Sequence, residues 1–170
     1  NSKLDFNAVA QGYSVDLVSE FLVNRGIKNY LVEIGGELSS KGVNNNGDYW
    51  KIGIEKPVDS SLIGQFGFQR IVELKNNSLA TSGNYRKFKI INGEKVSHSI
   101  NPNTGFPVNN SLLSVTVICK MAANADALAT SFMVMGKERS IKYINKYKSD
   151  SIFCYMIYDS LNSYKEWSNF

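Results

Sequence analysis

Residues 112–135, LLSVTVICKMAANADALATSFMVM, join two hydrophobic patterns and decide the fold class. The first part, Leu112–Cys119, is rich in β-branched residues and predicts a buried strand. The second part, Ala122–Met135, consists largely of strong helix formers without Gly or Pro and predicts a helix. Gly136 separates it from a second predicted helix, Lys137–Tyr147. A strand is therefore followed by two helices.

The sequence on both sides of this unit predicts further strands and one more helix. An N-terminal helix is expected to use Asp5 or Asn7 as its N-cap and to end near Asn24, before Gly26. The Asn92-Gly93 turn predicts a hairpin between residues 84–91 and 94–100. Other strands are expected at residues 30–34, 37–42, 49–55, 66–74, 151–158 and 164–167. Antiparallel hairpins with inserted helices indicate an α+β fold, mostly antiparallel sheet layers with helices packed on them.

Length and composition limit the class of protein. The 170 residues suffice for one domain with a substantial core, and 43% hydrophobic with 20% charged residues is ordinary for a globular protein. The net charge of +4 is mild, and the lysines of residues 137–148 lie on an amphipathic helix whose solvated face explains them better than a nucleic-acid groove. No apolar stretch is long enough for a transmembrane helix. The chain begins at Asn1 rather than Met, so we expect a fragment whose upstream part is missing.

The two cysteines, Cys119 and Cys154, both lie in apolar runs, which favours buried free thiols. A disulfide between two facing strands stays open at this point. With one histidine and no CxxC motif, the sequence argues against a zinc site.

Asp126 and Thr130 are the most informative polar pair. Because they are four residues apart on a predicted helix, the carboxylate and the hydroxyl share one face. Both are hard oxygen ligands, and small alanine neighbours allow a bulky ligand to approach, as Mg²⁺ carrying phosphates would require. The same spacing also occurs on solvated faces and in local hydrogen bonds.

Three other segments carry unusual polar groups or glycines. Residues 79–86 predict a loop that joins two strands and either directs backbone N–H groups at an anion or forms a plain turn. His98 precedes the Pro- and Gly-containing loop of residues 101–105, where it is either functional or structural. Gly35 and Gly36 follow an apolar strand and permit close approach of a ligand or a simple turn.

Taken in order, five segments resemble signatures of the ApbE family, the FAD:protein FMN transferases. They are DFNAVAQGYSVD at residues 5–16, EIGGE at 33–37, ATSGNYR at 80–86, HSINPNTG at 98–105 and ADALAT at 125–130. The resemblance extends from residue 5 to about residue 136. It implies a single FAD-binding, FMN-transferring domain over residues 1–170 that lacks the family's N-terminal portion.

The resemblance implies a Mg²⁺-dependent transferase that moves FMN from FAD onto a Thr of an acceptor flavoprotein and releases AMP. Carried over, the metal ligands would be Asp126, Thr130 and the Ala8 carbonyl, and FAD would contact Asp5, Gln11 and Ile100. Asp126 and His98 would be catalytic, with Thr81 and Ser82 bordering the same region. Two alternatives use much of the same site: a Mg²⁺-dependent FAD pyrophosphatase giving FMN and AMP, and a non-catalytic flavin-binding module.

The chain departs from the family pattern at two positions and in length. Gln11 stands where the family commonly has Lys, and Asn101 where it commonly has Asp. The missing N-terminal portion supplies part of the flavin pocket, so folding alone does not guarantee activity of this chain. The family further implies export to the periplasm or an outer membrane face, with a lipid anchor in the missing portion as the only membrane attachment.

Overall fold

A computed structural model of the chain describes residues 4–56, 67–84, 88–91, 94–97, 99–147, 151–161 and 163–170. It contains three helices and ten strands within this part of the chain. In order they are α1 (Ala10–Asn24), β1 (Tyr30–Ile34), β2 (Glu37–Lys41), β3 (Trp50–Glu55), β4 (Phe68–Leu74), β5 (Ser78–Gly83), β6 (Phe88–Ile91), β7 (Glu94–Ser97), β8 (Leu112–Cys119), α2 (Ala122–Met135), α3 (Lys137–Tyr147), β9 (Phe153–Ser160) and β10 (Ser163–Ser168).

Six of these strands form one sheet in the order β1-β2-β5-β8-β9-β10, and every neighbouring pair is antiparallel. β3 pairs with β4, and β6 with β7, as separate antiparallel ladders. The predicted α+β class, with mostly antiparallel sheets and packed helices, is confirmed. The predicted bounds of β1, β8, α2 and α3 are also confirmed.

The large sheet buries apolar side chains on both faces, because successive residues of a strand point to opposite sides. Val115 and Val117 of β8 belong to a core with Phe132 and Met133 of α2. Ile118 of the same strand belongs to a second core, which includes side chains of β3 and β4. The sheet therefore lies between a helical layer and the β3-β4 hairpin.

The interpretation of residues 79–86 as a loop was wrong for its first part, because β5 lies between β2 and β8 in the large sheet. Its Ala and Gly residues are depleted in strands, but its hydroxyl side chains find partners across the sheet. The Thr81 and Thr116 hydroxyls are 2.8 Å apart, and the Ser78 hydroxyl donates to Ser39 at 3.1 Å. Pairing with both neighbours thus outweighs the low strand propensity.

The predicted N-cap of α1 was also wrong. Val9 occupies the cap position and makes no side-chain capping bond, whereas Asp5 Oδ1 accepts a hydrogen bond from the Asn7 backbone N–H at 2.8 Å. The Asp5 side chain therefore closes a turn ahead of the helix. The end of α1 at Asn24, followed by Gly26 with a φ of +78°, agrees with the prediction. Among the described residues, no helix has both the length and the apolar character needed to cross a membrane.

Candidate functional site

The site is built where the first turns of α1 and α2 meet. Gly12 of α1 lies against the start of α2, and a Cβ on Gly12 would stand 2.3 Å from the Ala122 carbonyl oxygen. No side chain can occupy this position without moving one helix. The glycine therefore allows backbone-to-backbone contact between the two helices.

Asp126 projects from α2 toward this contact and is only 5% exposed. The Gly12 backbone N–H donates to its Oδ2 at 3.1 Å. Burial raises the pKa of the Asp126 carboxyl, and the bond from Gly12 opposes that rise without cancelling it. Within the described residues Oδ1 accepts no hydrogen bond, so one carboxylate oxygen is available to a ligand.

The same bond leaves the Ala8 carbonyl available. In a regular helix the Gly12 N–H would donate to the carbonyl four residues earlier, which belongs to Ala8. Here that N–H donates to Asp126, and no described backbone N–H donates to Ala8. The turn just before α1 therefore offers a carbonyl oxygen that no described backbone N–H occupies.

Thr130 follows Asp126 by one turn of α2 and contacts β5. Its Oγ1 is 2.9 Å from the Ser82 hydroxyl, and both side chains are partly buried. This bond ties the site to the central part of the sheet. Because Ser82 belongs to β5, the sheet holds the hydroxyl that contacts Thr130 in a fixed position.

The donor set suits a hard divalent cation. A carboxylate, a hydroxyl and a backbone carbonyl are all oxygen ligands of the kind that Mg²⁺ binds while it keeps waters and substrate phosphates. Among the described residues no group of three or more His, Cys, Asp or Glu side chains could hold a metal. The Asp126, Thr130 and Ala8 oxygens fit Mg²⁺ better than they fit a transition metal.

Gln11 lies over the turn between β1 and β2. Gly35 in that turn has a φ of +69°, and a Cβ built on it would stand 1.8 Å from Gln11 Nε2. The same Cβ would be 3.4 Å from Glu37 Oε2, so the Gln11 amide lies close to the buried Glu37 carboxylate. The absence of a side chain at Gly35 therefore leaves room for the Gln11 side chain.

No hydrogen bond within the described residues links Asp5 or Ile100 to Asp126 or Thr130. Asp5 is exposed in the turn before α1. Ile100 forms a bridge with Pro107 and its side chain is 50% exposed. His98 lies outside the described residues. The predicted loop that follows it is observed, and Asn101 Oδ1 accepts the Asn103 N–H at 2.9 Å, a turn contact that an Asp could make equally well.

Both cysteines are free and buried, as the sequence suggested. Burial raises the pKa of the Cys154 thiol to about 12. A thiol with that pKa is almost entirely protonated at neutral pH, so Cys154 is a core residue and not a nucleophile.

Asp16, the last residue of the segment DFNAVAQGYSVD, had no role predicted from the sequence. Its Oδ1 and Oδ2 accept hydrogen bonds from the Ala122 and Ala123 backbone N–H groups at 2.8 and 2.9 Å. Asp16 is one helical turn after Gly12, so the two share a face of α1. That spacing is visible in the sequence, but the α2 residues that it meets are not.

The chain is thus an α+β protein in which the Asp126 carboxylate of α2 meets the first turn of α1 and the Thr130 hydroxyl meets Ser82 of β5. Residues 1–155 match the sequence model of the ApbE family. The chain belongs to this family, as its five segments predicted.

Relatives and solved structures agree with this membership. The chain is 41% identical over 166 residues to an FAD:protein FMN transferase of Vibrio cholerae serotype O1, covering 98% of this chain and 48% of that protein. It is 35% identical over 164 residues to the Escherichia coli (strain K12) protein of the same name, covering 96% of this chain and 45% of that protein.

Two solved structures share the fold. Flavin transferase ApbE from Vibrio cholerae matches with a TM-score of 0.82 at 41% identity, covering 97% of this chain and 50% of that one. The apo form of Pseudomonas stutzeri flavinyl transferase ApbE matches with a TM-score of 0.82 at 37% identity, covering 98% and 49%. The chain therefore spans about half the length of the relatives it matches.

Proposed function

We propose that the full-length protein containing this chain transfers FMN from FAD to a Thr of an acceptor flavoprotein and releases AMP. The observation that carries the proposal is the bond from Gly12, in the first turn of α1, to the carboxylate of Asp126, with Thr130 one turn further along α2 and in contact with Ser82. Relatives named FAD:protein FMN transferase support the same activity.

The reaction exchanges the phosphoanhydride bond of FAD for a phosphoester bond to the acceptor Thr. The Thr oxygen of the acceptor forms a bond to the phosphorus of the FMN moiety, and the bond from that phosphorus to the bridging pyrophosphate oxygen breaks, so AMP leaves with that oxygen. Such a transfer needs in-line positioning and charge stabilisation more than covalent help from the protein. Mg²⁺, when bound, would neutralise charge on the pyrophosphate. Asp126, Thr130 and the Ala8 carbonyl would hold it.

Asp126 would also take the proton that the attacking hydroxyl loses. Its raised carboxyl pKa makes it a stronger base than an exposed aspartate, and Oδ1 accepts no bond within the described residues. The Gly12 N–H would hold the carboxylate in place through Oδ2. His98 would stabilise the phosphate or the departing AMP, which is the role that the family resemblance gives it.

Asp5, Gln11 and Ile100 would contact FAD. Asp5 and Gln11 flank the turn that carries Ala8, so both can approach a nucleotide bound beside the metal. Ile100 presents a half-exposed apolar side chain that is suited to a flavin ring. Export of the full-length protein and anchoring by an N-terminal lipid belong to the same proposal. Reading the upstream gene sequence for an export signal and a lipobox Cys tests that part.

The central experiment incubates the full-length protein with FAD, Mg²⁺ and a candidate acceptor flavoprotein. We expect a mass increase of one FMN on the acceptor, which disappears with EDTA or in Asp126→Ala. Asp159→Ala is the matched control, because Asp159 is exposed on β9 in the same chain and its side chain makes no hydrogen bond within the described residues.

The products separate the proposed transfer from its alternatives. FMN and AMP without a protein adduct identify a pyrophosphatase. FAD bound but unchanged, with and without Mg²⁺, identifies a binding module. Full transfer activity in Asp126→Ala would contradict the site assignment even if the activity itself is present.

A further inference from the structure

We infer that Asp16 is a positioning residue of the proposed metal site, which sets the start of α2 so that Asp126 meets the first turn of α1 and Thr130 meets Ser82 of β5. The inference rests on the proposed function for the identity of the site. It assigns a role to a side chain that lies outside the set of metal and flavin contacts.

The contacts of Asp16 are made to the backbone of another helix. Both carboxylate oxygens accept N–H groups of α2, at 2.8 Å from Ala122 and 2.9 Å from Ala123. The first N–H groups of a helix have no partner within the helix and must be satisfied from outside. Met121, the N-cap of α2, makes no side-chain capping bond. Asp16 therefore supplies the cap that the α2 sequence itself lacks.

Two contacts from one face of α1 hold the first turn of α2 at both ends. Asp16 holds the N–H groups of Ala122 and Ala123, and the Gly12 N–H holds the Asp126 carboxylate at 3.1 Å. The start of α2 can neither rotate nor slide without breaking one of them. Since Thr130 is one turn further along the same helix, its position follows from the same two contacts.

The carboxylate charge strengthens the arrangement. A helix N-terminus carries partial positive charge, and hydrogen bonds from backbone N–H groups to a carboxylate are stronger than neutral ones. Both oxygens of Asp16 are directed at the backbone of α2, so Asp16 acts through the placement of Asp126 and Thr130.

The test measures metal binding directly in the full-length protein with FAD present. Free Mn²⁺, a spectroscopic substitute for Mg²⁺, is followed by electron paramagnetic resonance in wild type, Asp16→Asn and Asp16→Ala. We expect Asp16→Ala to weaken Mn²⁺ binding on the order of tenfold, which equals about 1.4 kcal/mol. Asp16→Asn keeps one acceptor oxygen, so its Mn²⁺ affinity should lie between those of wild type and Asp16→Ala.

Ser140→Ala is the matched control for a loss of stability alone. The Ser140 hydroxyl is buried and donates to backbone carbonyls at the other end of α2, at 3.2 Å to Phe132 and 2.7 Å to Gly136. Its removal also costs buried bonds near α2, but it leaves the α1 contact intact. We expect Ser140→Ala to lower the melting temperature while Mn²⁺ affinity stays within about twofold of wild type.

Each outcome bears on the inference. Equal Mn²⁺ affinity in Asp16→Ala and Ser140→Ala would overturn the inference. It would also be overturned if Asp126→Ala bound Mn²⁺ as tightly as wild type does. If Asp16→Ala does not fold, the comparison of Asp16→Asn with Ser140→Ala decides in the same way. Asp126-dependent Mn²⁺ binding without FMN transfer would refute the proposed function and leave the role of Asp16 standing.

Discussion

The backbone N–H of Gly12 donates to the carboxylate of Asp126 at 3.1 Å, although 114 residues separate the two in the chain. The bond requires the two helices to approach within backbone contact. It withdraws the Gly12 N–H from its regular helical acceptor and leaves the Ala8 carbonyl without a described backbone donor. One glycine thus affects two of the three oxygens of the candidate metal site.

Gly12→Ala should therefore destabilise the protein, although helix propensity alone predicts a gain of about 1 kcal/mol. The added Cβ would stand 2.3 Å from the Ala122 carbonyl oxygen and 2.8 Å from Ala123 Cα, so the helices must separate. Overpacking of this kind costs about 1–3 kcal/mol. Urea unfolding measures the change. Ser14→Ala, which removes only a bond to Ala10 within α1, should change stability by less than about 0.5 kcal/mol. A more stable Gly12→Ala would show that the helices adjust freely.

Asp126→Asn should stabilise the protein at neutral pH while it abolishes Mg²⁺-dependent transfer. Burial raises the folded-state pKa of the Asp126 carboxyl, so the folded state binds a proton that the unfolded state has already lost. This contribution to stability is present at low pH and is lost as pH rises through the raised pKa. The gain from Asn should thus be largest near neutrality and shrink as pH falls toward the ordinary value of 3.8. Unfolding curves across pH measure it, and a gain that does not depend on pH would contradict the assignment.

Ser82 and Thr130 should show coupled effects on activity. Their hydroxyls are 2.9 Å apart, so Ser82→Ala removes a bond that orients Thr130 Oγ1. We expect a coupling of about 1 kcal/mol in a double-mutant cycle of Ser82→Ala with Thr130→Val, read from the Mg²⁺ dependence of transfer. Thr81→Val is the control, because Thr81 lies on the same strand as Ser82 and makes a similar hydroxyl pair with Thr116 of β8 at 2.8 Å. Additive effects of the Ser82 and Thr130 substitutions would exclude an orienting role.

Much of the fold could be predicted because its signals are local. β8 and α2 each carry a strong pattern of their own, namely β-branched residues in Leu112–Cys119 and unbroken helix formers in Ala122–Met135. β5 could not be predicted in the same way. Its sequence, SLATSG, has the composition of a loop, and only pairing with β2 and β8 makes it a strand.

In the candidate site too, contacts within one helix could be predicted and contacts between distant segments could not. Asp126 and Thr130 were found because one helix brings them together, whatever the rest of the chain does. Asp16 and Gly12 were not recognised as its supports, since their partners lie more than a hundred residues away. Likewise, Asp5 looks like a helix cap in the sequence, but the first turn of α1 meets Asp126 and the carboxylate of Asp5 serves the preceding turn.

Gln11→Lys in the full-length protein should tighten FAD binding. Gln11 is exposed at the start of α1, near the proposed nucleotide contacts, and the neutral amide can offer only uncharged hydrogen bonds. A charged donor, discounted for solvent screening, should add about 1 kcal/mol, or roughly fivefold in affinity. The nearby Glu37 carboxylate would attract the same ammonium and therefore reduce the gain in FAD affinity.

Titration of FAD at low and high salt measures this effect, which should shrink as salt rises because screening shortens the range of the charge. Val23→Lys adds the same charge to an exposed position of α1, twelve residues and about 18 Å along the helix. It should leave FAD affinity nearly unchanged. If Gln11→Lys and wild type bind FAD equally at low salt, residue 11 does not face the charge of the ligand, and its place among the FAD contacts is lost. If Val23→Lys tightens binding as much as Gln11→Lys, the gain comes from net charge and not from position.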